Sequence, residues 1–265
     1  MTSYDESRAV LRRRLEIESE LLRDLRLECV RVIMAIAELG YSEAMDGMSF
    51  RLSLCSSIDE ISSLLKELRE WIYINVTHGS QLAIDEVERH WPPAVPLSAG
   101  DIVNRDIGGK TLKERIGIYG NRLRTETEMW IAAGLLAGVT LSQLEKEVRA
   151  FLSSPYSSRL FLDALGKNAA SRRLRDGVPH FGSGSVTSAV GSLERLGTST
   201  IADSLRMAQW LSWGSDENVI GYQVYRGSSY PCSLCDSMTG FHVKGFEELP
   251  PYHSRCCCFA VPVMR

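Results

Sequence analysis

Residues 232–258 read Cys232-Ser-Leu-Cys235, then seventeen further residues, then His253-Ser-Arg-Cys256-Cys257-Cys258. Five of the seven cysteines of the chain lie in this stretch. A Cys-x-x-Cys knuckle followed by a His-x-x-Cys pair is the spacing with which a chain builds a tetrahedral zinc site from thiolates and an imidazole. The stretch therefore predicts a metal-bound module, and the function depends on what that module does.

The spacing predicts a set of four protein ligands for the ion. These ligands are Cys232, Cys235, His253 and Cys256. Cys258 is an alternative fourth ligand, because alternate residues of an extended segment point to the same side. On that pattern Cys256 and Cys258 share a face while Cys257 points away. His242, on a short predicted strand, is a weaker alternative to His253.

Four protein ligands leave no open position on a tetrahedral ion, which favours a structural zinc over a catalytic one. Residues 231–235 also match the second half of the zinc deaminase signature, but that chemistry needs an upstream His-x-Glu. None of the upstream histidines, His78, His90 and His180, has a glutamate two positions later. A deaminase is therefore excluded, and no thioredoxin-like βαβ pattern supports a redox knuckle.

The composition is ordinary for a soluble globular protein, with 44% hydrophobic and 24% charged residues and a formal net charge of −3. Proteins that hold DNA mainly through its phosphates are usually more basic. The chain has no run of about 18 apolar residues and its start is acidic, so we expect neither a transmembrane helix nor a signal peptide. We therefore expect no membrane partner and a reducing cytoplasm, where clustered cysteines favour metal over disulfides.

Apolar residues spaced by three or four predict helices over most of the chain before the cysteine stretch. The predicted helices span 5–39, 57–75, 81–90, 111–133, 140–152 and 192–213. The glycine-containing residues 133–140 are predicted to form a turn, and Arg12-Arg13-Arg14 a solvated helix face. Cys29 and Cys55 occupy apolar helical positions and are predicted to be buried.

The spacing of the apolar residues changes after residue 214, from every third or fourth position to every second. Alternating β-branched and aromatic residues predict strands at 219–226, 241–243 and 257–263. The predicted fold class is α+β and predominantly helical, with long N-terminal helices, a helical middle and a small C-terminal zinc-bound β module.

Proline and glycine content predicts how these elements are divided into domains. The predicted parts are an N-terminal helical region 1–91, a Pro-rich linker 92–104, a central helical domain 105–214 with a flexible Gly/Ser loop 153–192, and a zinc-binding β module 215–265.

The C-terminal motif resembles the phage Mu protein F-like family of minor head, or head morphogenesis, proteins of tailed bacteriophages. The likeness covers about residues 213–263 and extends more loosely back to 105. The matching residues are Cys232, Cys235, Gly240, Pro250, Pro251, His253, Cys256 and Cys258. The chain departs from the family at 253–258, where His-Pro-Asn-Cys-Arg-Cys is usual, and at Ser229-Tyr230-Pro231, which replaces an acidic position.

The resemblance implies a non-enzymatic virion component of the phage head, assembled in the host cytoplasm. Its implied partners are the portal protein, the major capsid protein or both. The alternative function is a zinc-dependent DNA-binding protein that acts on packaged or ejected phage DNA. The candidate DNA contacts are Arg172, Arg173, Arg175, Lys244 and Arg255. An enzyme, such as a zinc hydrolase, is less favoured because the sequence shows no nucleophile–base or carboxylate constellation.

Overall fold

The computed structural model describes residues 3–43, 50–165, 188–245, 248–253 and 255–265. Within these ranges the helices are α1 (Ser3–Ser42), α2 (Ile58–His90), α3 (Ala99–Val103), α4 (Leu112–Ala137), α5 (Leu141–Ser153), α6 (Arg159–Leu165), α7 (Ala189–Ser215) and α8 (Ser233–Ser237). A single 3-10 turn, Leu52–Leu54, precedes α2. The strands are β1 (Val219–Tyr225), β2 (Gly240–Val243) and β3 (Phe259–Met264). The predicted class, α+β and predominantly helical, is confirmed.

The three strands form one antiparallel sheet in the order β2-β1-β3. Tyr222 lies at its centre, opposite His242 on one side and Pro262 on the other. Tyr222 and Val224 are fully buried and pack in one hydrophobic cluster with Trp213 at the end of α7. The apolar alternation that predicted β1 therefore identifies the face of the sheet that enters the core.

The contacts within the chain define two compact units. The first unit comprises Met1–Leu22, Ile74–Leu112 and Arg195–Arg265, and the second comprises Arg23–Tyr73 and Lys113–Glu194. These units differ from the division predicted at residues 91, 104 and 214, because α1, α2 and α7 each contribute residues to both. The sheet and the whole cysteine stretch belong to the first unit.

Helix α2 is continuous, so the predicted interruption between residues 75 and 81 is wrong. The glycine in that interval, Gly79, lies at a point of close packing within the first unit. A Cβ at this position would lie 2.9 Å from Cδ1 of Ile201 and 3.2 Å from Cγ2 of Ile17. In α7, a Cβ at Gly197 would similarly approach Leu21 to 2.9 Å. Two helix glycines thus allow α1, α2 and α7 to lie close together in this unit.

In the second unit, helix α4 ends four residues later than predicted, and the turn after it is correspondingly shorter. Gly138 makes this turn with a φ of 69°, in the left-handed region that glycine adopts most easily. Thr140 then caps α5. Its hydroxyl accepts from the Gln143 amide at 3.3 Å, and the Gln143 side chain accepts from the Thr140 amide at 2.8 Å. The helix predicted over 140–152 is confirmed, and Thr140 caps its start.

The two segments predicted as a linker and a flexible loop contain short helices where the structure describes them. Helix α3 lies in the predicted linker 92–104, and α6 lies in the predicted loop 153–192, most of whose remainder, 166–187, falls outside the described residues. Cys29 and Cys55 are buried, as predicted. None of the described helices is both long and apolar enough to cross a membrane.

Candidate metal centre

The Cys-x-x-Cys knuckle forms the start of the short helix α8, between β1 and β2. Cys232 is the residue before the helix and has extended backbone angles, φ −152° and ψ 106°. Cys235 follows in the first turn and is 3% exposed. The backbone amides of Cys235 and Leu234 face the Cys232 sulfur and lower the pKa of this thiol. The knuckle therefore presents two sulfurs on one side of a tight turn, with amides that favour a thiolate at the more exposed one.

The second group of donors lies in the loop that leads into β3. The amide of Cys256 donates to the carbonyl of His253 at 3.1 Å, which closes a turn across the intervening residues. Arg255 in this turn has a φ of 64°, a conformation that few residues other than glycine adopt. Cys256 and Cys258 are 1% and 3% exposed, whereas Cys257 is only partly buried. The predicted alternation of these three cysteines is confirmed.

The two loops bring their donor atoms together. The Nε2 atom of His253 lies 3.0 Å from the sulfur of Cys235 and 3.4 Å from that of Cys232. The sulfurs of Cys235 and Cys256 are 3.8 Å apart. The donor atoms of Cys232, Cys235 and His253 all lie within 4.8 Å of one another, and so do those of Cys235, Cys256 and Cys258. This five-residue cluster could hold a metal ion, and Cys235 belongs to both of its groups.

Burial sets the charge state of the inner thiols. Removal from water raises the pKa of Cys235 well above its usual value, and the hydrogen bond with Cys258 adds to this effect. Burial also raises the pKa of Cys258. Tyr252 packs against the same cluster, and burial raises the pKa of its phenol, with a smaller contribution from the neighbouring cysteines. Without a cation these thiols keep their protons, so a metal ion must displace protons when it binds.

Three residues around the cluster were not predicted from the sequence. Arg14 on α1 is 3% exposed, forms an ion pair with Glu18 at 3.2 Å and donates to the carbonyl of Cys256. The predicted solvated face is therefore wrong for Arg14. Arg226 donates to Asp236 and to the carbonyl of Tyr230, which holds the segment before the knuckle against α8.

Gly227 is the third of these residues. Its amide hydrogen-bonds to the Cys258 sulfur, and a Cβ at this position would overlap the carbonyl oxygen of Cys257. Glycine is therefore required for β1 and the second loop to approach this closely. No local sequence pattern indicates this contact.

The remaining predicted site residues lie apart from the cluster or outside the described residues. His242 belongs to neither donor group, because Nε2 faces the carbonyl of Met238 and Nδ1 faces the carboxylate of Glu248, both at 2.8 Å. Lys244 donates to the carbonyl of Asp216 at 2.7 Å. Residues 172–175, with three of the candidate DNA contacts, fall outside the described residues.

The cluster thus combines donors from the knuckle and the second loop, and residues of α1 and of the segment after β1 support it from outside. The likeness to the phage Mu protein F-like family rests on the motif in residues 213–263 and stays an expectation. The chain matches no protein-family model, no curated protein and no solved structure.

Proposed function

We propose that the cysteine and histidine cluster binds one structural zinc ion. The observation that carries this proposal is the spacing of the donor atoms. Zn–S bonds of about 2.3 Å and Zn–N bonds of about 2.0 Å in a tetrahedron place two sulfurs about 3.8 Å apart and a sulfur and a nitrogen about 3.5 Å apart. Cys235 and Cys256 lie at 3.8 Å and Cys232 and His253 at 3.4 Å, while Cys235 and His253 are closer, at 3.0 Å. Thiolates and one imidazole are also the donors that zinc prefers.

A structural role is favoured by the number of protein donors. The two donor groups share Cys235 and together contain five donor side chains, one more than a tetrahedral ion needs, so the protein itself can supply every ligand. A catalytic zinc keeps one position for water or substrate. We therefore propose no enzymatic activity for this centre.

The ion would join the two connections of the sheet. The knuckle lies between β1 and β2, and the second loop leads into β3, so the donors come from the approaches to both edge strands. The strands have seven, four and six residues. A sheet this small gains little stability from its own pairing. Zinc binding would supply folding free energy to this part of the first unit, as it does in other small metal-bound modules.

We further propose that the protein is a minor head component of a tailed phage, located in the virion and associated with the portal or major capsid protein. The support is the motif shared with the Mu protein F-like family together with a predominantly helical body. A zinc-stabilised module suits an assembly part, because it holds a fixed shape without a large core.

Metal analysis tests the zinc site. Purified wild-type protein should contain about one zinc per chain, and Cys235→Ser should lose it because Cys235 belongs to both donor groups. Cys257→Ser is the matched control, since its side chain points away from the donors, and it should keep the ion. Wild-type protein that binds no zinc after reconstitution under reducing conditions would remove the basis of the proposal.

Particle composition tests the proposed role in the head. Mass spectrometry of purified phage particles that carry this gene should detect the chain, and the tagged chain should co-purify with portal or capsid protein. Absence from particles, with binding to duplex DNA that weakens steeply with salt, would favour the DNA-binding alternative instead.

A further inference from the structure

The zinc site proposed above offers one more donor than the ion can use, and this inference rests on that site. We propose that Cys256 and Cys258 are interchangeable at a single coordination position, while Cys232, Cys235 and His253 hold the other three. The site would then keep its metal when either of the two inner cysteines leaves it.

The first three ligands already form one face of a tetrahedron. Nε2 of His253 lies 3.4 Å from the Cys232 sulfur and 3.0 Å from the Cys235 sulfur, and all three donor atoms lie within 4.8 Å of one another. A metal ion on this face has one vertex left. That vertex must be filled from the second loop or by water.

Two thiols are available for the remaining vertex. Cys256 and Cys258 both belong with Cys235 to the second donor group, whose atoms lie within 4.8 Å of one another. Both are almost fully buried, at 1% and 3% exposure. Cys257 is only partly buried and belongs to neither donor group. In the proposed exchange, one sulfur moves to the vertex as the other leaves it.

Each of the two cysteines is fixed by a different part of the first unit. Arg14 on α1 donates to the carbonyl of Cys256, and the amide of Gly227 after β1 hydrogen-bonds to the sulfur of Cys258. Loss of one cysteine side chain therefore leaves the support of the other in place. The spare thiol can also recapture the ion when the bound thiol dissociates, which slows the release of metal.

The test compares Cys256→Ala, Cys258→Ala and the double variant with wild-type protein loaded with Co²⁺ under reducing conditions. Each single variant should bind about one ion per chain and lose no more than about 100-fold in affinity, the range seen when an outer-shell contact is lost. The double variant should lose more than this. Both single variants should show the same sulfur-to-cobalt charge-transfer intensity as wild type, and both should release the ion to a chelator faster.

Cys257→Ala is the matched control and should equal wild type in affinity and release rate. A fixed ligand would overturn the inference: one single variant would lose the ion while the other behaved as wild type. Loss of the ion in both single variants would also overturn it, as would retention in the double variant. Wild-type protein that binds no metal would instead refute the proposed zinc site, so the two failures are distinguishable.

Discussion

The guanidinium of Arg14 donates a hydrogen bond to the main-chain carbonyl of Cys256, 242 positions further along the chain. Arg14 lies on α1, and Tyr4 on the same helix packs against Tyr225 and Phe259, with ring centroids 5.0 and 5.5 Å away. The N-terminal part of α1 therefore contacts both the second loop and the sheet. This relationship makes the first helix part of the support of the candidate metal centre.

Arg14→Met should weaken both the fold and the metal site. The substitution leaves the Cys256 carbonyl without its donor and Glu18 without its buried partner, which should cost roughly 3 kcal/mol of unfolding free energy. The loop that carries Cys256 would then be less well positioned, so we expect metal affinity to fall by about 10- to 100-fold. Denaturant titration and competition with a chromophoric chelator measure the two effects.

The adjacent arginine provides the control for this prediction. Arg13 pairs with Glu16 in an exposed position, with side-chain exposures of 36% and 51%. Arg13→Met should change stability by less than about 0.5 kcal/mol and leave metal affinity unaltered. Equal effects of the two substitutions would show that the Arg14 contact contributes nothing specific.

Gly227→Ala should disrupt the second loop. A Cβ at this position overlaps the carbonyl oxygen of Cys257, and a main-chain atom cannot rotate away as a side chain can. We expect a loss of about 1–3 kcal/mol in stability together with weaker metal binding. Gly117→Ala in α4 is the control, because a Cβ there meets no atom within 4 Å. Alanine favours the helix, so this variant should gain about 0.5–1 kcal/mol.

Local sequence patterns were sufficient for the elements whose signals are local. The apolar spacing over 140–152 predicted α5, and the alternation around Tyr222 predicted β1. The interruption predicted in α2 failed because Gly79 reads locally as a helix breaker. Its actual environment is set by Ile17 and Ile201, which are far away in sequence, and a local pattern contains no information about them.

The candidate site shows the same division between local and distant information. Spacing alone identified the knuckle and the His-x-x-Cys pair, because chelating pairs are short. Spacing did not choose between Cys256 and Cys258, since both satisfy the alternation equally. Arg14 could not be found either: a lone arginine among charged helix residues gives no sign that its partner is a carbonyl near the C-terminus.

Metal removal should be reported by Trp213. This indole is 1% exposed and packs in the same hydrophobic cluster as Cys235 and Cys256. If zinc supplies folding free energy here, a chelator should loosen the cluster and shift the fluorescence emission of Trp213 to longer wavelength. Trp213→Phe should remove most of this response. Trp130→Phe is the control. Trp130 stacks on Phe151 in the second unit, with ring centroids 4.8 Å apart, so this variant should keep the fluorescence response to metal removal.

An emission change that persists in Trp213→Phe would come from another tryptophan, such as Trp91, whose ring centroid lies 5.0 Å from that of Trp213 and which packs against the same cluster. Near-ultraviolet circular dichroism of the same samples provides a second measurement, because it responds to the packing of all the aromatic residues. A wild-type protein whose spectra do not change when zinc is removed would show that the cluster folds without the ion.

Glu126 should give the second unit a characteristic pH dependence. Its carboxylate is 2% exposed and accepts hydrogen bonds from the Ala189 amide at 2.9 Å, the Tyr156 hydroxyl at 3.1 Å and Arg122 at 2.9 Å. Burial raises the pKa of Glu126 above 4.5 and outweighs these partners, which lower it. The folded state therefore takes up a proton more readily than the unfolded state does.

The sign of the pH effect follows from this uptake. The contribution of Glu126 to stability is fully present below about pH 4.5 and is lost as the pH rises through the folded-state pKa. Glu126→Gln cannot titrate, so the difference in unfolding free energy, wild type minus variant, should fall with rising pH over that interval and then level off. Denaturant titrations followed by tryptophan fluorescence measure it, with the exposed Glu145→Gln as the reference for removing one surface carboxylate. A difference that rises with pH would mean that Arg122 and the Ala189 amide outweigh the effect of burial.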